Sequence, residues 1–86
     1  MSTLTMYGRP DCDDTDYVRG YLQQHQVPFT EVNIDNDADA NSFVIFINRG
    51  NRVTPTLILD DSRVKMIMAE PNDRELDTLI QRLGTK

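Results

Sequence analysis

The stretch RPDCDDTD, residues 9–16, contains the only cysteine of the chain, Cys12. A cysteine thiolate can attack a disulfide, but a single cysteine cannot close an internal disulfide or supply a four-ligand metal site. The alternative is an ordinary buried cysteine, which the polar residues on both sides disfavour. The sequence therefore indicates single-thiol chemistry and no metal site. Four aspartates flank the cysteine, namely Asp11, Asp13, Asp14 and Asp16.

The elements that position this cysteine follow from the spacing of apolar residues. The run TLTMY predicts a short strand, which Gly8 and Pro10 terminate. Helical spacing begins at about Asp13, with acidic residues in the first turn, where the helix dipole favours them. Cys12 is therefore expected at the start of the first helix.

The rest of the chain adds two more helices and three more strands. PFTEVNI (residues 28–34) predicts the second strand, and the polar stretch DNDADA predicts the start of the second helix. TPTLIL (54–59) and VKMIM (64–68) predict an antiparallel hairpin, and the last apolar repeat predicts a helix with Asn72 as N-cap and Gly84 as C-cap. The order β-α-β-α-β-β-α predicts an α/β fold, a four-stranded mixed sheet flanked by three helices.

Three segments in this order resemble the glutaredoxin family. MYGRPDCDDTDYVRGYLQQHQVPFTEVNID is similar to the opening of a glutaredoxin, with proline two residues before the first cysteine. GNRVTPTLIL is similar to the segment before the family's third strand, and AEPNDREL resembles the approach to its last helix. The resemblance covers almost the whole chain and implies a thioredoxin-like, glutaredoxin-type fold.

The chain departs from the family pattern in three places. The active-site motif C-x-x-C, or C-x-x-S in monothiol members, reads CDDT, with Cys12 at the nucleophile position and Thr15 at the resolving position. The threonine and valine before the family's proline are exchanged, which gives Val53, Thr54 and Pro55. EPND replaces the G-G-x-D stretch that grips glutathione, a form nearer to proteins of the mycoredoxin kind.

The resemblance also implies which residues bind substrate. A cis Pro55 would present the backbone of Thr54 to an extended substrate. Thr15 is either a helix-surface residue or one whose hydroxyl caps the helix or donates weakly toward the thiolate. The complete set of expected substrate-binding residues is Arg9, Asp11, Thr15, Arg52, Val53, Thr54, Pro55, Asn72 and Asp73.

Opposing electrostatic effects are expected at Cys12. The helix N-terminus favours the thiolate, whereas each nearby aspartate opposes it by roughly 0.6 to 1.2 kcal/mol. Arg9 and Arg52, which the resemblance places at the same mouth, would offset part of that repulsion. We expect the pKa of an exposed Cys12 to lie nearer to that of a free thiol than to the strongly depressed values of efficient dithiol enzymes.

Size and charge exclude several classes of protein. With 86 residues, 38% of them apolar, the chain has room for one domain spanning residues 1–86. A net charge of -5 disfavours nucleic acid as a partner. The sequence has no apolar run of membrane-spanning length and no signal-peptide pattern at its start. We therefore expect a cytoplasmic monomer.

The resemblance implies a monothiol thiol-disulfide oxidoreductase with no bound cofactor. Its partners would be protein mixed disulfides and a low-molecular-weight thiol such as glutathione or mycothiol, or a reductase. Two alternatives remain open. The chain could be a non-catalytic binding module that docks a basic partner, or an iron-sulfur carrier, a use that belongs to C-G-F-S relatives.

Overall fold

The computed structural model describes residues 3–61 and 65–84, and its elements follow the order expected from the sequence. A strand and a helix alternate twice, and then two strands and a final helix complete the fold. Their bounds are β1 (Thr3–Gly8), α1 (Asp13–Gln24), β2 (Thr30–Asn33), α2 (Ala38–Ile47), β3 (Thr56–Asp60), β4 (Lys65–Ala69) and α3 (Asp73–Gly84).

The four strands form one mixed sheet in the order β2-β1-β3-β4. β1 pairs parallel with β2 and antiparallel with β3, and β3 and β4 form the antiparallel hairpin. Tyr7, near the end of β1, lies opposite Thr56, the first residue of β3, which in turn lies opposite Ala69 at the end of β4. The loops after β1, before β3 and after β4 therefore lie together at one end of the strands.

The core lies on both faces of the sheet. α1 and α3 cover one face, where the buried residues are Leu4, Met6, Val18, Leu22, Val27, Leu57, Leu59, Leu76 and Leu79. α2 covers the opposite face with a smaller cluster, Ile34, Ala40 and Val44. Neighbouring residues of a strand point to opposite faces of the sheet, so each strand can pack against helices on both faces.

The second strand is shorter than expected. It begins at Thr30 rather than at Pro28, because proline has no N–H to donate to a ladder. α3 extends to Gly84, and residues 85 and 86 lie outside the described residues, so the predicted C-cap stays a prediction. Residues 62–64 lie outside the described residues. They comprise part of the predicted hairpin turn and the first residue of the predicted fourth strand. Across the described ranges, no helix is both long and apolar enough to cross a membrane.

Candidate functional site

Cys12 is the residue that precedes α1, and its backbone is extended there. Its carbonyl accepts the first helical hydrogen bond, from the amide of Asp16 at 2.9 Å. Only 8% of Cys12 is exposed, so the expectation of an exposed helix start is wrong. The polar residues next to Cys12 in the sequence do not bury it. Thr54, which is distant in the sequence, contacts its sulfur instead.

Thr54 reaches the sulfur from the loop before β3. Its hydroxyl donates to Cys12 Sγ at 3.3 Å, and the thiol can donate to the Thr54 carbonyl oxygen at 3.7 Å. Arg9 Nε donates to the same Thr54 hydroxyl at 3.4 Å. A hydroxyl that accepts from a cation is polarised as a donor, so the charge of Arg9 acts on the sulfur through Thr54. The peptide bond between Thr54 and Pro55 is cis, as expected.

Thr15 is fully buried, so the alternative of a helix-surface residue is wrong. It packs against Gly8 at the end of β1, where an added Cβ would overlap the Thr15 side chain. Glycine is therefore what lets the first turn of α1 approach the sheet. The Thr15 hydroxyl is buried, and it has no hydrogen-bond partner among the described residues.

The surroundings of Cys12 lower the pKa of its thiol below the ordinary value. Burial, the largest single influence on this pKa, raises it, but four donors together outweigh burial. They are the side chains of Thr15 and Thr54 and the backbone amides of Thr15 and Asp14. The Thr15 hydroxyl acts on the pKa although its geometry falls short of a hydrogen bond. We attribute this effect to the thiolate, which is a stronger acceptor than the thiol.

The aspartates around Cys12 do not contribute in the way that the sequence suggested. The side chains of Asp11, Asp13 and Asp14 are exposed, and Asp16 pairs with Arg19 at 2.6 Å. Their carboxylates are not among the largest influences on the Cys12 pKa, and Asp14 lowers that pKa through its amide. Water screens the charge of exposed carboxylates, whereas the amides of Asp14 and Thr15 lower the pKa of the thiol.

Arg52 and Val53 have structural partners in this fold. The Arg52 guanidinium donates to Asp35 at 2.5 Å and to Asn41 at 2.5 Å, so the expectation that it supports the thiolate is not met. The Val53 carbonyl accepts from the hydroxyl of Thr56 at 2.8 Å. The Thr56 bond holds the loop that carries Thr54 in place at the start of β3.

Asn72 and Asp73 connect α3 to the site. Asn72 Oδ1 accepts from the Glu75 amide at 2.9 Å, and Glu75 Oε1 accepts from the Asn72 amide at 3.0 Å. This reciprocal pair is a capping box, which confirms Asn72 as the N-cap. Asp73 accepts from the Tyr17 hydroxyl at 2.5 Å, a bond that raises the pKa of Tyr17 and joins α3 to α1.

A groove of about 100 Å³ lies beside cis Pro55, between α1 and the segment that follows β4. Tyr17, Glu70 and Pro71 were not expected at this site from the sequence, although the last two belong to the AEPND stretch. Glu70 has a left-handed backbone, and its amide donates to the Pro55 carbonyl at 2.9 Å. The residues that line the groove are Asp14, Tyr17, Val18, Pro55, Glu70 and Pro71.

The arrangement is suited to thiol chemistry. It provides one buried sulfur and donors that favour its anion, and a groove lies beside Pro55, the residue that follows Thr54. In the portion of the chain that the structure covers, no three His, Cys, Asp or Glu residues are placed to hold a metal ion.

Comparisons with known proteins agree with this geometry. A family model described as glutaredoxin matches residues 4–64. No curated protein matches the sequence.

Several solved structures share the fold over nearly the full length of both chains. A mutant of the thioredoxin-like protein BC3987 has a TM-score of 0.76 at 23% identity, covering 94% of this chain and 97% of the other. The protein XcR50 from X. campestris has a TM-score of 0.60 at 26% identity, covering 93% and 97%. The glutaredoxin-like NrdH-redoxin from Escherichia coli has a TM-score of 0.65 at 19% identity, covering 98% and 97%.

Proposed function

The chain belongs to the glutaredoxin family, and on that premise we propose that it is a monothiol thiol-disulfide oxidoreductase with Cys12 as the nucleophile. Its substrates are mixed disulfides between a protein and a low-molecular-weight thiol. The observation that carries this proposal is the position of Cys12 Sγ, which lies at the start of α1 among donors that lower its pKa.

The reaction proceeds in two exchanges at the same sulfur. The Cys12 thiolate attacks the small-thiol sulfur of the mixed disulfide, so that a Cys12 mixed disulfide forms and the protein leaves as a thiolate, which takes a proton from water. A second small-thiol anion then attacks the small-thiol sulfur bound to Cys12. The products are a small-molecule disulfide and the free Cys12 thiolate, and no second protein cysteine is required.

The roles of the neighbouring residues follow from their contacts. Thr15 and Thr54 stabilise the Cys12 thiolate, and Arg9 strengthens the Thr54 donor. Pro55 and the backbone of Val53 and Thr54 form the surface on which an extended substrate rests. Asn72 and Asp73 hold the start of α3, and Asp11 is exposed directly before Cys12 in the sequence. We assign no substrate contact to Arg52.

The proposal extends to partners and location. Glutathione and mycothiol are the candidate small thiols, and the protein works as a monomer in the cytoplasm without a bound cofactor. The support for these assignments is the membership of the glutaredoxin family, with which the fold and the single thiol agree.

The test is turnover of a protein mixed disulfide by the wild type and by Cys12→Ser and Cys12→Ala. Both variants should lose all activity, because no other sulfur of the chain can form the intermediate. The melting temperature of each variant shows whether the buried position still folds, and intact mass should show a single small-thiol adduct on the wild type only. Residual turnover in a folded variant would refute the proposal, and a wild type without turnover would favour a binding module.

A further inference from the structure

The groove beside Pro55 carries negative charge and no positive charge of its own. Two of its six lining residues are carboxylates, Asp14 from α1 and Glu70 from the segment after β4, and none is basic. Both residues are exposed at the rim. Of the arginines in the nearby loops, Arg52 is paired with Asp35, whereas Arg9 keeps its charge and donates to the neutral Thr54 hydroxyl; neither lines the groove.

The walls of the groove are partly aliphatic and partly polar. Val18, Pro55 and Pro71 offer aliphatic surface, and the Tyr17 hydroxyl is occupied by its bond to Asp73. The volume of about 100 Å³ suits a short aliphatic chain rather than a large ligand. A methylene chain that leaves the attacked sulfur could lie along Pro55, with a charged end group at the rim.

We propose that this groove selects disulfides in which the attacked sulfur belongs to a small aminothiol, whose ammonium group lies between Asp14 and Glu70. The inference rests on the proposed function and replaces its candidate small thiols, glutathione and mycothiol, with cationic aminothiols. An anionic end group in the same place would be repelled by both carboxylates.

The chemical step is unchanged by this selection. The Cys12 thiolate forms a bond to the aminothiol sulfur, the original disulfide bond breaks, and the departing thiolate takes a proton from water. The ammonium group keeps its charge throughout. Its attraction to the groove therefore favours the encounter with the disulfide and its orientation.

Three symmetric disulfides of similar size and different charge provide the test. They are cystamine, which is cationic, 2-hydroxyethyl disulfide, which is neutral, and 3,3′-dithiodipropionate, which is anionic. The rate of adduct formation on Cys12 is followed by intact mass, and each rate is divided by that of a neutral reference thiol. We expect a corrected preference of about tenfold for cystamine over the dicarboxylate, which decreases with added salt.

Two variants with the same change in net charge localise the effect. Glu70→Gln removes one carboxylate of the groove and should reduce the preference by about threefold. Asp39→Asn removes an exposed charge at the start of α2, on the other face of the sheet, and should leave the preference unchanged.

The possible outcomes separate this inference from the proposed function. Equal corrected rates for the three disulfides, or equal effects of Glu70→Gln and Asp39→Asn, would overturn the inference and leave the oxidoreductase intact. A preference for cationic peptide disulfides without a preference for cystamine would overturn the assignment to a small aminothiol. No adduct with any disulfide would overturn both proposals.

Discussion

The two sides of Cys12 differ in burial and in charge. The inner side is buried or partly buried and presents donors, and it consists of Arg9, Thr15 and Thr54. The outer side is exposed and presents carboxylates, those of Asp11, Asp13, Asp14 and Glu70. The largest influences on the pKa of the thiol are burial, the hydroxyls of Thr15 and Thr54, and the helix amides of Asp14 and Thr15. Burial therefore decides which of several nearby polar groups controls the sulfur.

This difference has a simple electrostatic cause. Water separates an exposed carboxylate from the sulfur and screens its charge, whereas a buried hydroxyl or amide acts at contact distance in a less polarisable medium. The outer carboxylates are thus left to act on substrates that approach from water. The inner donors act on the nucleophile itself.

The inner side should be the more sensitive to an added atom. Gly8→Ala places a Cβ against Thr15, so α1 or the end of β1 must shift, and we expect a loss of about 1–3 kcal/mol in the free energy of unfolding. Denaturant unfolding measures this loss.

Gly20→Ala is the matched control for this substitution. Gly20 is exposed within α1 and an added Cβ meets no atom within 4 Å, so the variant should gain roughly 0.5–1 kcal/mol from helix propensity. Similar effects of the two substitutions would contradict the tight contact between Gly8 and Thr15.

The Thr54 hydroxyl should control the reactivity of the thiol. Thr54→Val keeps the shape of the side chain but removes the donor, so the pKa of Cys12 should rise. Because hydrogen bonds to charged groups contribute about 1.5 kcal/mol or more, alkylation by iodoacetamide at neutral pH should slow by about tenfold. Thr30→Val, in the exposed part of β2, should leave the rate unchanged. An unchanged rate in Thr54→Val would exclude Thr54 as the donor.

The same donor links the thiol to stability. Because folding lowers the pKa of Cys12, its ionisation stabilises the folded state above the unfolded pKa, and this contribution is lost as pH falls through the folded pKa. Thr54→Val should weaken the rise in unfolding free energy across that window.

The outer carboxylates should have the smallest effect on the thiol. The double substitution Asp13→Asn with Asp14→Asn keeps the backbone amides and removes two exposed charges, so the alkylation rate at neutral pH should change by less than about twofold. A several-fold increase would restore the expectation, drawn from the sequence, that these aspartates hold the thiol protonated.

Local patterns sufficed for most of the fold. Helix starts could be located from short polar stretches, as the capping box at Asn72 shows, and the order of elements limited the sheet to a mixed arrangement. The predicted start of β2 at Pro28 is too early. The spacing of apolar residues does not take into account that proline has no N–H to donate to a strand ladder.

The site was less predictable because its determinants are distant in sequence. RPDCDDTD contains nothing that would bury Cys12, and its burial depends on Thr54, 42 positions away. Arg52 was expected at the thiol, but Asp35 and Asn41 bind its side chain. Contacts of this kind depend on which loops lie together at the ends of the strands. The local periodicity of apolar residues does not determine this.

The most direct test of the central claim is the pH dependence of Cys12 alkylation in the folded protein and in the same protein unfolded in urea. Both states contain the same aspartates next to Cys12 in sequence, so the comparison isolates what the fold contributes. We expect a lower midpoint in the folded state, because its donors outweigh burial. A folded midpoint equal to or above the unfolded one would show that the inner side does not stabilise the thiolate.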